Sequence, residues 1–233
     1  NWNMLHLHDR HFVLQWQHTT NCIMSFAIIG DVHSQADCLE SALNYCIDHH
    51  LQPLLLGDLF DSKCPVSDSV KVYQLVKHVV SYYSALVLHS NHQDKLIRYL
   101  QGNDVILNNG LDRTVEDFRS SDIDLNELKD FLMACPYGIV FRDSNGIEYR
   151  AAHSFFSRQI EIPVYDDYCL FFECHIPRRI RNTMIYGPTT RQGRILWWQS
   201  ESDRNFVRVS GHYHTIHIDS KSIVLDGECG DDK

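Results

Sequence analysis

Short apolar runs and helical periodicities alternate through the first hundred residues. Ser25-Phe-Ala-Ile-Ile-Gly30 is an apolar run that stops at Gly-Asp, which predicts a buried strand. Ala36, Leu39, Leu43 and Ile47 then recur at helical spacing and predict a helix. Pro53-Leu-Leu-Leu-Gly57 repeats the strand signal, again ending at Gly-Asp. Val72, Leu75, Val76 and Val79 predict the next helix, with Ser67 as its cap. Ala85-Leu-Val-Leu-His89 reads as a third strand, and Leu96 to Leu100 as part of a third helix. This alternation implies parallel strands with helices packed on the sheet. In such sheets, ligand sites lie beyond the carboxyl ends of the strands.

The second half has a different rhythm. Asp117 to Met133 reads as mostly helical. Gly138 to Asp143 and Ile147 to Ala152 flank Ser144-Asn145-Gly146, a hairpin signal. Val207 to Ser210, Thr215 to Asp219 and Ile223 to Leu225 read as strands. The expectation is a mixed α/β core with an antiparallel second half. Glu161 to Arg194 lacks a clear period and reads as an insertion near the site. Residues 1–23 carry His6, His8, His11 and His18 without a period, and read as a leader or upstream extension. Residues 24–233 would then form the domain, with Met24 as a natural start.

Composition narrows the classes. The 233 residues, 44% of them hydrophobic, suffice for one well-buried core. No apolar stretch approaches the ~18 residues of a membrane span. A formal charge of −9 argues against binding extended duplex nucleic acid. A small nucleotide or an RNA end stays open, because bound cations reverse the local field. The eight cysteines form no CxxC pair and read as reduced thiols in a cytoplasmic protein. Nothing in the sequence fixes the oligomeric state.

Five polar segments follow strand signals: Gly30-Asp-Val-His33, Gly57-Asp-Leu-Phe-Asp61, Ser90-Asn-His92, Ala152-His153-Ser and Gly211-His-Tyr-His214. Asp31 and His33 alternate by two, as do His212 and His214, so each pair can face one side. A mixed Asp/His/Asn set suits transition metals better than calcium. Two such ions need a shared ligand, for which Asp58 is the natural bridge. A solvent hydroxide between them would be the nucleophile, at a metal separation of roughly 3.5–4 Å.

The order GDVH, GDLFD, SNHQ, AAHS and GHYH resembles the calcineurin-like metallophosphoesterase superfamily over Phe26 to Asp226. Asn91 to Gly102, Asn109-Gly110-Leu111 with Thr114, and Arg181 with Tyr186-Gly-Pro-Thr-Thr190 look like the phosphatase domain of bacterial polynucleotide kinase-phosphatase. That group is similar to symmetrical diadenosine tetraphosphate hydrolases and bacterial serine/threonine phosphatases. The resemblance implies a four-layer α/β sandwich, two mixed β-sheets flanked by helices. It implies that Asp31, His33, Asp58 and His214 hold one metal, and that Asp58, Asn91, His153 and His212 hold the other. The ions would be Mn foremost, with Ni, Fe, Zn or Co as alternatives. It also implies that His92 is the general acid and Asp61 its partner.

Two positions depart from the pattern. Ser90 stands where Gly is usual, and a Gly-only backbone angle there would exclude it. Ser62-Lys63 stands where many phosphatases have Asp-Arg-Gly, whose Arg grips phosphate. Lys63 is a point charge one position away, and Arg181 is the substitute the resemblance offers. Asp226, after the last strand signal, would orient a metal-bound His. The expected function is two-metal hydrolysis of a phosphoester in a nucleotide-like substrate or RNA end, leaning to diesters. A dinucleoside polyphosphate hydrolase, a protein serine/threonine phosphatase and a non-catalytic metal-binding module are the alternatives.

Overall fold

The period of two within each strand divides its side chains between layers. The computed structural model describes residues 2–7, 11–16, 25–64, 67–143, 145–165, 168–190, 193–194 and 205–227. One sheet runs in the order β1 (Trp2–Leu7), β2 (His11–Trp16), β3 (Phe26–Ile29), β4 (Gln52–Leu55) and β5 (Leu86–Val87). The last three are parallel, as the alternation predicts. The crossovers between them are α1 (Ala36–Asp48) and α2 (Ser69–Tyr83), and α3 (Asn91–Leu100) follows β5. The segment read as a leader supplies β1 and β2, and β2 pairs antiparallel with β3, Leu14 opposite Ile28. His8 and His18 lie outside the described residues.

Two helical expectations shift. The cap of α2 is Asp68, not Ser67, because the Asp68 carboxylate is the group that accepts from the Lys71 N–H. The helix expected over Asp117 to Met133 is two helices, α4 (Leu111–Arg119) and α5 (Leu125–Met133). The break falls at Ser120-Ser121-Asp122-Ile123-Asp124. There Ser121 Oγ donates to the Phe118 carbonyl, and Asp124 accepts from the Asn126 N–H at 2.8 Å. Such side chains favour caps over continued helix.

The second sheet draws on β6 (Gly138–Arg142), β7 (Glu148–Ala152), β8 (Tyr168–Phe171), and on β11 (Phe206–Ser210), β12 (Ile216–Ile218) and β13 (Ser222–Leu225). β9 (Thr189–Thr190) and β10 (Gly193–Arg194) form a separate two-stranded ribbon. The spatial order is β12-β13-β11-β7-β6-β8. This half is not wholly antiparallel, because central β11 runs parallel to both β7 and β13. The long connection after β7 carries the chain back across the outer face before it enters β11, which a parallel pairing requires. It contains β8 and α6 (Arg178–Tyr186), so the unassigned stretch from Glu161 to Arg194 is largely ordered secondary structure.

Phe26 and Ile28 of β3, with Leu54, Leu56 and Leu88, face Ile139, Phe141, Val209 and Leu225 of the other sheet. Ala27, Ile29, Leu55 and Val87 point the other way, onto α1, α2, α4 and α5. Val140 and Ala152 face outward onto Met184 and Ile185 of α6. The result is helices, sheet, sheet, helix, as the resemblance implies. Among the described residues, Cys46, Cys64, Cys135, Cys169 and Cys174 are free thiols. No described helix is long and apolar enough to cross a membrane.

Candidate metal centre and active site

The carboxyl ends of β3, β4, β5, β7 and β11 meet at one rim of the sandwich, and the polar segments emerge there. The loops after β3 and β4 are stitched together. Val32 and His33 N–H both donate to the Asp58 carbonyl at 3.0 and 2.8 Å, and Ser34 N–H donates to Leu59 at 2.9 Å. Among the described residues, six of the nine non-glycine residues at positive φ are His33, Ser34, Asp58, Asp61, His212 and His214. Left-handed backbone is therefore concentrated in these segments, where it costs of order 1–3 kcal/mol per residue.

Two groups of ligand atoms result. Asp31, His33 and Asp58 bring one atom each within 4.8 Å of one another, as do Asp58, His153 and His212. Asp58 belongs to both. Asn91 joins the second group, its Oδ1 2.8 Å from His153 Nε2. The His212 N–H donates to Asp31 Oδ2 at 2.9 Å. Gly211 permits that approach, since a Cβ there would lie 1.9 Å from Asp31 Oδ1.

Main-chain carbonyls fix the histidine tautomers. His33 Nδ1 faces the Phe60 and Asp61 carbonyls, both at 3.1 Å, and His153 Nδ1 faces the Leu56 carbonyl at 3.1 Å. A carbonyl only accepts, so each Nδ1 carries a proton and Nε2 is the ring nitrogen turned towards the cluster. His153 Nε2 faces Asn91 Oδ1, His212 Nδ1 (3.1 Å) and Asp58 Oδ2 (3.4 Å). Asp31 Oδ1 is buried without a hydrogen-bond partner. Burial drives the Asp31 carboxyl well above its ordinary range, and Asp226 and Asp58 push the same way. Burial opposes charge on Asp58 as well, yet His153, His92 and His33 hold its carboxyl well below the ordinary range. Converging ligand atoms around buried carboxylates are an environment that cations stabilise.

His92 starts α3 beside this cluster. Its Nδ1 donates to Asp61 Oδ2 at 2.7 Å, and its Nε2 lies 4.0 Å from Asp58 Oδ2. Burial disfavours the charged ring, but Asp58 and the Asp61 hydrogen bond outweigh burial and hold its pKa at about 9. Asp61 is itself clamped, its N–H donating to Thr114 Oγ1 at 3.0 Å. The sequence reasoning gave Thr114 no role. Its signal was the Gly110-Leu111-x-x-Thr114 stretch, where left-handed Gly110 (φ 90°) lets α4 press against the backbone of Asp61 and Ser62.

The remaining expected residues divide. Ser90 has φ −131°, an ordinary extended angle, and its hydroxyl caps α3, so no glycine is required. Ser62 is buried, accepting from Gln35 Nε2 at 3.2 Å and the Cys64 N–H at 3.0 Å, while Lys63 is exposed. Asp226 is buried and accepts from the His214 N–H at 2.6 Å. The His214 side chain is exposed, and neither ligand group contains it. Arg181 pairs with Glu173 and lies over the Tyr137 ring, in a cavity flanking α3. That cavity also contains His89, which the sequence reading passed over as the end of a strand.

The sequence profile of calcineurin-like phosphoesterases matches residues 24–229. The chain belongs to this family. Calcineurin-like phosphoesterases depend on a binuclear metal centre, and Asp58 between two ligand groups fits that requirement. Among curated relatives, the asymmetrical bis(5'-nucleosyl)-tetraphosphatase PrpE of Oceanobacillus iheyensis is 36% identical over 42% of this chain and 42% of its own length. The protein of the same name from Halalkalibacterium halodurans is 35% identical over the same shares. The chain thus spans less than half the length of these relatives. A crystal structure of a candidate diadenosine tetraphosphatase superposes with a TM-score of 0.55 at 19% identity, covering 91% of this chain and 87% of that one. This likeness bears on the fold.

Proposed function

We propose that the chain hydrolyses a phosphoester or phosphoanhydride bond in a nucleotide-like substrate, at a two-metal centre with His92 as general acid. The observation that carries this reading is Asp58, shared by both ligand groups, with the His92–Asp61 pair alongside. Asp31, His33 and Asp58 would hold one ion, and Asp58, Asn91, His153 and His212 the other. His214 would reach the first ion only by turning its exposed ring inward. Such ions supply an activated water and charge against the phosphoryl oxygens. Asp61 holds the His92 ring in place and favours its charged form, from which His92 can give a proton to the leaving oxygen. Asp226 braces the turn that carries His212 and His214.

Dinucleoside polyphosphates are the favoured substrates. The relatives' names support that choice, as does the lack of the phosphate-gripping Arg at Ser62. Mn is the first metal to supply. The test is a panel of bis(p-nitrophenyl) phosphate, diadenosine tetraphosphate, a 2',3'-cyclic nucleotide and a phosphopeptide, each with Mn, Ni, Mg and Zn. Cleavage of the first two ahead of the phosphopeptide is expected. No hydrolysis with any metal would overturn the enzyme reading.

A further inference from the structure

Beside the metal centre, α3, α5 and α6 enclose a cavity of about 540 Å³. Sites for compact organic ligands run from about 300 to 1,000 Å³. His89, Arg98, Tyr137, Arg178, Arg181 and Tyr186 line it. It adjoins the reaction site. Asp94, which also lines it, lies three positions beyond the ligand Asn91 on α3 and accepts from the Tyr186 hydroxyl at 3.2 Å.

Two side chains in this wall lack partners they ought to have. His89 is 4% exposed, and neither of its ring nitrogens makes a hydrogen bond. The Leu132 carbonyl faces that ring without meeting bonding geometry. Arg181 Nε is buried and likewise unbonded. Buried donors and acceptors are nearly always paired, so these two mark a place where a bound molecule can supply the missing bonds. The ring of His89 lies 4.5 Å from that of Tyr137, and the Arg181 guanidinium lies over the same Tyr137 ring at 5.8 Å. Flat aromatic faces, an imidazole that can donate or accept, and three guanidinium groups line the cavity. Ion pairs with Asp94 and Glu173 position Arg98 and Arg181.

We infer that this cavity is a nucleoside monophosphate subsite, which takes the nucleoside end of the substrate whose phosphate chain crosses the metal centre. The base stacks against the tyrosines and bonds to His89, and the adjoining phosphate meets the arginines. The inference rests on the proposed hydrolase reading, and its test separates the two.

Adenosine 5'-monophosphate is titrated calorimetrically into the metal-loaded protein and again with EDTA present. Binding that survives the chelator is expected. His89→Phe keeps the ring volume and removes both nitrogens. Arg178→Glu alters an exposed first residue of α6, where an acidic side chain suits the helix. Each is expected to weaken binding at least tenfold without lowering the melting temperature. Loss of binding with EDTA, or binding indifferent to both substitutions, overturns the subsite. Hydrolysis of bis(p-nitrophenyl) phosphate, which has no nucleoside, is measured in parallel. If it is present without nucleotide binding, only the subsite falls. If nucleotide binds as expected but no ester is cleaved with any metal, the subsite stands and the hydrolase reading falls.

Discussion

Asp61 Oδ2 accepts a hydrogen bond from His92 Nδ1 at 2.7 Å, while the Asp61 main chain is held by Thr114. This contact sets the direction of the imidazole and favours its charged form. His92→Ala should lower kcat by about 10²–10⁴. The loss should be larger for a phenyl ester than for a p-nitrophenyl ester, because only the poorer leaving group needs the proton. Equal losses on both esters would remove His92 from the acid role. Asp61→Asn keeps the shape and removes the charge, and should cause a smaller loss in the same order.

Metal stoichiometry tests the shared ligand. Asp58→Asn should empty both positions, whereas Asp31→Asn should reduce occupancy mainly at one. His214→Ala should have less effect than Asp58→Asn, since the His214 ring stands outside both groups. Metal analysis of the purified variants reads this directly. Two retained ions in Asp58→Asn would contradict the bridge.

Burial lowers the pKa of His89 to about 4 from an ordinary value near 6.5. The folded form thus binds its proton less readily than the unfolded chain. The stability that follows is fully present above pH 6.5 and is lost as pH falls towards 4. The loss amounts to about 3 kcal/mol across that window. His89→Phe should remove this part of the acid sensitivity. Urea melts of both proteins at pH 7.5 and pH 4.5 check it. Parallel losses in the two proteins would count against a buried neutral His89.

Much of this architecture was readable from the chain. The parallel strands after Ser25 announced themselves because their apolar runs end abruptly at Gly-Asp, and the residues after those runs became the site. The break between α4 and α5 was missed because Ser120 to Asp124 interrupts an otherwise helical period only through side-chain caps. The parallel setting of β11 was hidden because strand pairing follows from the whole path of the chain, not from local pattern. His89 and Thr114 escaped notice for a related reason. Their roles come from what the fold sets beside them.

Thiol chemistry offers an independent check on the core. Burial pushes the Cys46 and Cys135 thiols up to about 12, while Cys174 is exposed. Iodoacetamide at pH 8 should label Cys174 quickly and leave Cys46 and Cys135 unmodified until the protein unfolds. Peptide mapping by mass spectrometry measures the order. Early labelling of Cys135 would contradict its packing under α5.

The left-handed residues His33, Ser34, Asp58, Asp61, His212 and His214 impose a conflict on any attempt to improve this protein. A library selected for heat resistance alone should be drawn to glycine at these positions, where relief of backbone strain is immediate. Its winners should be robust and inert. Selection for turnover should instead retain the strain and find its stabilising changes elsewhere, in α1, α2 and the outer strands.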